Sequence, residues 1–168
     1  ASGNDTLIGG VGDDVLEGGQ GSDNYRYDLG DGNDRIIEHG ADGEDVLVLG
    51  EGLAPENVIL RWTLNRDLQV IMPDGAIVTV QNQDGSYYSD LVGIEKISVA
   101  DGTVWDRSDI ARLAITGTDG DDKIISSYRD ETLEGGKGND HFHSLGGYNT
   151  YKFGPGDGQD IIENSYGR

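Results

Sequence analysis

Residues 9–17 read GGVGDDVLE and residues 18–26 read GGQGSDNYR. Both stretches fit the nine-residue pattern G-G-x-G-x-D-x-U-x, where U is a large apolar residue. Residues 3–8 contain the end of a preceding copy, and two longer variants have their aspartates at Asp34 and Asp45. Five consecutive turns of a repeating structure are therefore expected before residue 50.

The pattern returns after residue 115, as GTDGDD at 117–122, GGKGND at 135–140 and GDGQD at 156–160. Two degenerate turns that end at Glu131 and Asn149 lie between these copies. A shift of 126 residues superposes the two blocks and places Asp14 on Asp140. The sequence thus predicts about one and a third copies of a longer tandem unit, and we expect the chain to be a piece of a larger protein.

Each copy combines a six-residue turn with a short strand. Glycine at the first, second and fourth positions permits positive φ, so that carbonyl oxygens turn toward a common point. The aspartate at the sixth position adds a carboxylate. Two stacked turns then supply the six to eight oxygens, at roughly 2.3–2.6 Å, that Ca²⁺ prefers, whereas Mg²⁺ demands tighter octahedral geometry and retains its waters. The pattern therefore predicts Ca²⁺ sites between stacked turns.

If successive turns fall on opposite sides of a flattened coil, neighbours on one side are two repeats apart. The expected pairs are Asp5 with Asp23, Asp14 with Asp34, Asp23 with Asp45, Asp122 with Asp140, and Asp140 with Asp160. A sixth pair, Glu131 with Asn149, lacks most of the glycines, so we expect about five Ca²⁺ ions and one weak or empty position. Besides these aspartates, the predicted site residues are the turn glycines Gly3, Gly9, Gly10, Gly12, Gly18, Gly19, Gly21, Gly30, Gly32, Gly43, Gly117, Gly120, Gly135, Gly136, Gly138, Gly156 and Gly158.

The apolar residue of each strand is expected to point inward between two parallel sheets. These residues are Leu7, Leu16, Tyr25, Ile36, Leu47, Ile124, Leu133, Phe142, Tyr151 and Ile161 or Ile162. A single coil buries too little to be stable, so stacking provides the core. Five Ca²⁺ ions would reduce the formal net charge from −20 to about −10. Without them the stacked carboxylates repel, and we expect the chain to be unfolded or loosely ordered.

These repeats resemble the repeats-in-toxin (RTX), or haemolysin-type calcium-binding, family. The resemblance implies an all-β fold, a right-handed parallel β-roll. It also implies that one turn binds an ion through its second and fourth carbonyls and its aspartate, as in Gly10, Gly12 and Asp14. The family further implies a large protein that Gram-negative bacteria export unfolded by type I secretion and that folds in external calcium. The function we expect is therefore that of a Ca²⁺-folded structural segment of a secreted or cell-surface protein.

Residues 51–115 contain no nonapeptide and separate a first roll block, 1–50, from a second, 116–168. Apolar runs at 58–62, 67–72, 76–80 and 94–99, divided by turn signals, predict antiparallel strands. Residues 108–113 predict a short helix with Asp106 or Ser108 as N-cap. This segment is similar to the haemolysin-type calcium-binding-related domain, and we expect it to cap the first roll.

Composition argues against several other functions. A charge of −20 disfavours binding to nucleic acid or to anionic membranes, and no apolar run is long enough to insert in a bilayer. The chain has no cysteine, no H-E-x-x-H and no G-x-S-x-G, so we expect no enzyme activity.

Two alternatives stay open from the sequence. Tyr87 and Tyr88 are candidates for stacking on sugar rings, which would make this a glycan- or ligand-binding segment of an adhesin. The chain is also compatible with a non-catalytic module attached to a secreted enzyme. His141 and His143 flank Phe142 and are interpreted as exposed strand residues rather than a transition-metal site.

Overall fold

The computed structural model describes residues 2–39, 43–83 and 93–165. Its strands are β1 (Thr6–Ile8), β2 (Val15–Glu17), β3 (Asn24–Tyr27), β4 (Arg35–Ile37), β5 (Val46–Leu49), β6 (Ile59–Trp62), β7 (Leu68–Ile71), β8 (Ile77–Val80), β9 (Lys96–Ser98), β10 (Val104–Asp106), β11 (Lys123–Ile125), β12 (Thr132–Glu134), β13 (His141–Ser144), β14 (Thr150–Lys152) and β15 (Ile161–Asn164). One helix, α1 (Arg107–Leu113), follows β10.

The first block is a parallel coil whose successive strands alternate between two sheets. Strands β1, β3 and β5 pair in parallel, with Leu7 beside Tyr25 and Tyr25 beside Leu47. Strands β2 and β4 form the opposite sheet, with Leu16 beside Ile36. Neighbours on one side are thus two repeats apart, as the nonapeptide pattern predicts.

The second block repeats this arrangement. One sheet contains β11, β13 and β15 in parallel, with Ile124, Phe142 and Ile162 in register. The other contains β12 and β14, with Leu133 beside Tyr151. The predicted fold class, a parallel β-roll, is confirmed in both blocks.

The strands between the blocks continue both sheets of the first roll. Strand β8 pairs in parallel with β4, and β7 and β6 add to it as an antiparallel meander. Strand β9 pairs in parallel with β5, and β10 adds to β9 in antiparallel fashion. These strands cover the edges of β4 and β5 that the first roll would otherwise expose.

Helix α1 begins where the sequence predicts. Asp106 is its N-cap, and its Oδ1 accepts hydrogen bonds from the backbone N–H groups of Ser108 (2.8 Å) and Asp109 (3.0 Å). Ile110 is the buried residue of the helix. Within the described ranges, no helix is long and apolar enough to cross a membrane.

The predicted inward residues form the core, with one exception at its end. Tyr25, Ile36, Leu47, Ile124, Leu133 and Phe142 are each at most 1% exposed, and Leu7, Leu16 and Tyr151 are partly buried against them. Ile161 and Ile162 are instead 59% and 44% exposed, contrary to the prediction. They belong to the last described strand, β15, where no described coil stacks over them.

Arg61 joins the inserted strands to the second roll. Its guanidinium donates to the carbonyl oxygen of Thr116 (3.0 Å) and to Asp122 Oδ1 (2.6 Å). The side chains of Arg61 and Asp122 are only 10% and 12% exposed, so this is a nearly buried ion pair. Arg66 adds a second contact, because its guanidinium carbon lies 4.6 Å from the centre of the Tyr128 ring.

Replacing Arg61 by methionine should destabilise the folded chain by about 3 kcal/mol, because the nearly buried Asp122 carboxylate would lose the guanidinium that contacts one of its oxygens. Thermal unfolding in saturating calcium measures the loss. The double variant Arg61→Met with Asp122→Asn should recover part of it. Additive losses in this double-mutant cycle would show that the two side chains do not stabilise each other.

Candidate metal centre

The sixth-position carboxylates form a continuous stack on each side of the rolls, which we call the aspartate ladder. In every step the backbone N–H of one sixth-position residue donates to the side chain of the next one on the same side. The steps are Asp5 to Asp23 (2.8 Å), Asp14 to Asp34 (3.0 Å), Asp23 to Asp45 (2.8 Å), Asp122 to Asp140 (2.9 Å), Asp140 to Asp160 (2.9 Å) and Glu131 to Asn149 (3.0 Å). The structure therefore brings together all six pairs that the sequence predicts.

A second ladder, which the sequence analysis missed, runs through the fifth position of each turn. The side-chain oxygen of Asn4 accepts from the N–H of Ser22, at 3.0 Å, and the oxygen of Ser22 accepts from the N–H of Glu44, at 2.9 Å. Asp13, Asp121, Asp130 and Asn139 accept in the same way from Asn33, Asn139, Tyr148 and Gln159. The recurrence of Asn, Asp and Ser just before the sixth position is the signal that could have revealed it.

Glycine at the second and fourth positions takes positive φ, as predicted. The glycines concerned are Gly3, Gly10, Gly12, Gly19, Gly21, Gly30, Gly32, Gly43, Gly136, Gly138, Gly156 and Gly158. At the fourth position there is a further requirement, because a Cβ on Gly32 would overlap the carbonyl oxygen of Gly12 one coil below. Gly21, Gly43, Gly138 and Gly158 face the turn below in the same way.

The predicted reason for glycine at the first position is wrong. Gly9, Gly18 and Gly135 do not take positive φ. A Cβ on each would instead collide with the carboxylate of its own turn, on Asp14, Asp23 and Asp140 respectively. In the turn at 117–122, first-position Gly117 also lacks positive φ, and a Cβ on it would overlap Gly135 of the neighbouring turn. Gly120, at the fourth position of this turn, is an exception to the positive φ predicted there. First-position glycine therefore leaves room beside the carboxylate.

Buried carboxylate oxygens without a hydrogen-bond partner occur along the ladder. Oδ1 of Asp23 accepts a ladder bond, but Oδ2 of Asp5, Asp23 and Asp140 is buried and has no partner. Such an oxygen costs free energy unless a cation or donor faces it. The stacked carboxylates and turn carbonyls are hard oxygen donors, so the residues present fit a Ca²⁺ ion in each of these positions.

Burial also raises the proton affinity of carboxylates in the ladder and of Glu38 beside it. Burial raises the pKa of Glu38 to about 7, and the negative charges of Asp45 and Asp23 add to the shift. Burial likewise raises the pKa of Asp34 and of Asp140, although a ladder hydrogen bond opposes the shift in each case. In the metal-free chain these carboxylates are thus held in surroundings that disfavour their charge.

The step from Glu131 to Asn149 is satisfied by the protein itself. The side-chain amide of Asn149 donates to Ser144 Oγ (2.8 Å) and to the carbonyl oxygen of Gly146 (2.9 Å). The two carboxylate oxygens of Glu131 accept from the backbone N–H and the hydroxyl of Ser127, both at 2.8 Å. Donors of the protein therefore already contact the oxygens of this step, and the weak or empty site expected from the sequence stays a prediction.

Arginine side chains contact acidic residues at the two places where the segment between the rolls meets the aspartate ladder. The N–H of Asp45 donates to Glu95 Oε2 (2.5 Å), and Arg107 donates to Glu95 Oε1 (2.6 Å) and to the carbonyl oxygen of Gly93 (3.2 Å). Arg61 contacts Asp122 similarly, while Asp122 Oδ2 accepts from Thr118. Both oxygens of Asp122 are therefore engaged before any ion binds.

The remaining candidates are placed as follows. Tyr87 and Tyr88 lie outside the described residues. His141 and His143 both lie 3.2 Å from Glu163 Oε2, and this contact lowers the pKa of Glu163. Trp62 and Trp105 are each 8% exposed and belong to the hydrophobic core.

The fold is a parallel roll whose stacked turns align buried aspartates, which is the arrangement of a metal-binding repeat protein. Two known protein families match parts of the chain. The RTX calcium-binding nonapeptide repeat (4 copies) matches residues 1–36 and 116–151. The haemolysin-type calcium binding protein related domain matches residues 75–109, between the two repeat blocks. Both repeat blocks of the chain therefore match the RTX calcium-binding repeat, and the resemblance noted from its sequence is confirmed.

Comparisons with whole proteins add little. No curated protein matches the chain. Among solved structures, the extracellular lipase LipA from Serratia marcescens is 17% identical with a TM-score of 0.25, over 100% of this chain and 34% of the lipase chain. A likeness of that size carries no argument about activity.

Gly32→Ala should destabilise the folded chain more than Gly30→Ala in the same turn. Both glycines have positive φ, at 109° and 95°, so each substitution costs about 1–2 kcal/mol in backbone strain. Only at Gly32 would the new Cβ also meet the neighbouring turn, since Gly30 has no atom within 4 Å of that position. Thermal unfolding midpoints in saturating calcium compare them, and equal midpoints would argue against close stacking of the turns.

Acid should partly replace calcium in ordering the metal-free chain. The folded-state pKa values of Asp34, Glu38 and Asp140 lie above their usual values, so their contribution to stability is fully present below the unfolded pKa of about 4. That contribution is lost as the pH rises toward 7. Circular dichroism in metal-free buffer should show more β structure at pH 5 than at pH 7.5, and the reverse order would contradict the burial of these carboxylates.

Proposed function

We propose that this chain is a structural segment that folds when Ca²⁺ binds between its stacked turns. The observation that carries the proposal is the set of buried, unpartnered carboxylate oxygens on Asp5, Asp23 and Asp140. Asp5 and Asp23 lie in consecutive steps of the ladder in the first roll, and Asp140 lies in the ladder of the second roll, each where one coil stacks directly on the next. A cation between the coils removes the cost of burying them.

Five ions are proposed, one for each Asp–Asp step of the ladder. The step from Asp122 to Asp140 should bind its ion most weakly, because Arg61 already neutralises Asp122. The step from Glu131 to Asn149 should bind none, because its oxygens face donors of the protein. Five ions would change the formal net charge from −20 to about −10.

Calcium suits these positions better than magnesium. The ligands are carboxylates and backbone carbonyls held by two separate turns, an arrangement that accommodates six to eight oxygens with some variation in distance. Mg²⁺ needs a closer octahedron and gives up its water reluctantly. Folding should therefore respond to Ca²⁺ at concentrations where Mg²⁺ has little effect.

The dependence on calcium fits a protein that is exported before it folds. We propose that the parent protein is secreted from a Gram-negative bacterium by type I secretion and that this segment folds outside the cell, where calcium reaches the millimolar range typical of weak extracellular sites. The segment itself is proposed to be non-catalytic. The family match to calcium-binding repeats supports this assignment.

The test is a titration of the chelator-treated chain, followed by far-ultraviolet circular dichroism, with CaCl₂ and separately with MgCl₂. We expect a cooperative gain of β signal with Ca²⁺ alone, and about five ions per chain by isothermal titration calorimetry. A β-rich spectrum that chelation leaves unchanged, or equal responses to the two metals, would refute the proposal.

A further inference from the structure

We propose that Glu38 is a third carboxylate ligand of the ion between Asp23 and Asp45, which makes this step the most highly charged metal site in the described structure. Glu38 is not a position of the nonapeptide ligand set. This inference rests on the proposed function, because it concerns one of the proposed Ca²⁺ sites.

The register of the strands explains how a glutamate reaches this site. Glu17 of β2 is the parallel neighbour of Ile37 of β4, so Glu38 occupies the place that Gly18 has one coil below. At Gly18 even a Cβ would collide with the Asp23 carboxylate and the Tyr25 hydroxyl. The turn that begins with Glu38 is two residues longer, since β4 and β5 are separated by 38–45 whereas β2 and β3 are separated by 18–23.

The three carboxylates converge inside the roll. One oxygen from each of Asp23, Glu38 and Asp45 lies within 4.8 Å of the other two. The three residues are 0%, 3% and 4% exposed, so water does not screen their repulsion. Asp23 and Asp45 are also joined directly by a ladder hydrogen bond of 2.8 Å.

The orientation of Glu38 is fixed by a second buried residue. The hydroxyl of Tyr25 donates to Glu38 Oε1 and accepts from the backbone N–H of Gly18 at 2.9 Å. Tyr25 is fully buried, so this contact holds one oxygen of Glu38 in place. The other oxygen, Oε2, is buried in the same cluster of residues.

Unpartnered atoms provide independent evidence that a cation belongs there. Glu38 Oε2 and Asp23 Oδ2 are both buried and have no hydrogen-bond partner. Two such oxygens in one cluster would be costly in an ion-free folded chain. A divalent cation between them satisfies both, and turn carbonyls supply further oxygens.

A third carboxylate should change both the Ca²⁺ affinity of this site and its preference between divalent and trivalent ions. The other Asp–Asp steps offer two negative charges, which Ca²⁺ neutralises, whereas this step offers three. We expect it to bind Ca²⁺ most tightly and to have the strongest preference for a trivalent lanthanide over Ca²⁺. A bound Tb³⁺ ion would lie close to the Tyr25 ring, which can sensitise its luminescence.

The experiment compares the unmodified chain with Glu38→Gln by calorimetric Ca²⁺ titration and by Tb³⁺ luminescence excited through tyrosine. Glu38→Gln keeps the size of the side chain and its ability to accept from Tyr25, and it removes the charge. We expect the tightest Ca²⁺ site to weaken by at least about tenfold and the Tb³⁺ preference of that site to be lost. The matched control is Glu17→Gln, which removes one negative charge from an exposed position of β2 and should change neither.

Unchanged affinity, ion number and Tb³⁺ preference in Glu38→Gln would overturn the inference while leaving calcium-induced folding intact. Failure of the unmodified chain to fold with calcium would instead refute the proposed function. If Glu38→Gln does not fold at any calcium concentration, Glu38→Lys decides. An ammonium among Asp23 and Asp45 should restore folding with one fewer bound ion, and failure to fold would overturn the inference.

Discussion

The repulsion between carboxylates stacked on neighbouring coils is the constraint on which the rest of this structure depends. Parallel strands lie about 4.8 Å apart, so a repeat that places one aspartate in each turn must place these aspartates almost in contact. The ladder hydrogen bonds hold them at that spacing but leave second oxygens of Asp5, Asp23 and Asp140 unsatisfied. The calcium-dependent folding proposed above requires that the hydrophobic core between the two sheets is too small to offset this cost without cations.

The structure contains three places where the protein supplies its own donor instead. Arg107 contacts Glu95 and the carbonyl of Gly93 at the end of the first ladder, and Arg61 contacts Asp122 and a turn carbonyl at the start of the second. Asn149 provides an amide in the degenerate step. In each place an N–H group faces the kinds of oxygen that would bind Ca²⁺, and at two of them, Arg107 and Arg61, that group carries a fixed positive charge.

Most of the fold follows from the sequence because the nonapeptide fixes both the turn and the strand. Its period places Asp5 beside Asp23 and Leu7 beside Tyr25, and the structure has both contacts. The N-cap at Asp106 was also predictable, since it depends only on local residues. These features depend on short-range geometry that the pattern states directly.

Other features depend on contacts between distant residues, which the pattern does not contain. Position 18 requires glycine because a Cβ there would collide with the Asp23 carboxylate, not because its φ is positive. This collision depends on where the folded structure places that carboxylate. Glu38 has no role in the repeat pattern, and its meeting with Asp23 depends on the register between β2 and β4. The exposure of Ile162 reflects the end of the stack rather than its own residue type.

Cations between the stacked turns would be visible by anomalous X-ray diffraction from crystals grown in calcium and then exchanged with Tb³⁺. We predict peaks at the five Asp–Asp steps, the strongest beside Glu38 in partially exchanged crystals, and none between Glu131 and Asn149. Peaks confined to the outer surface, or an ordered roll with no ion between its turns, would contradict this prediction.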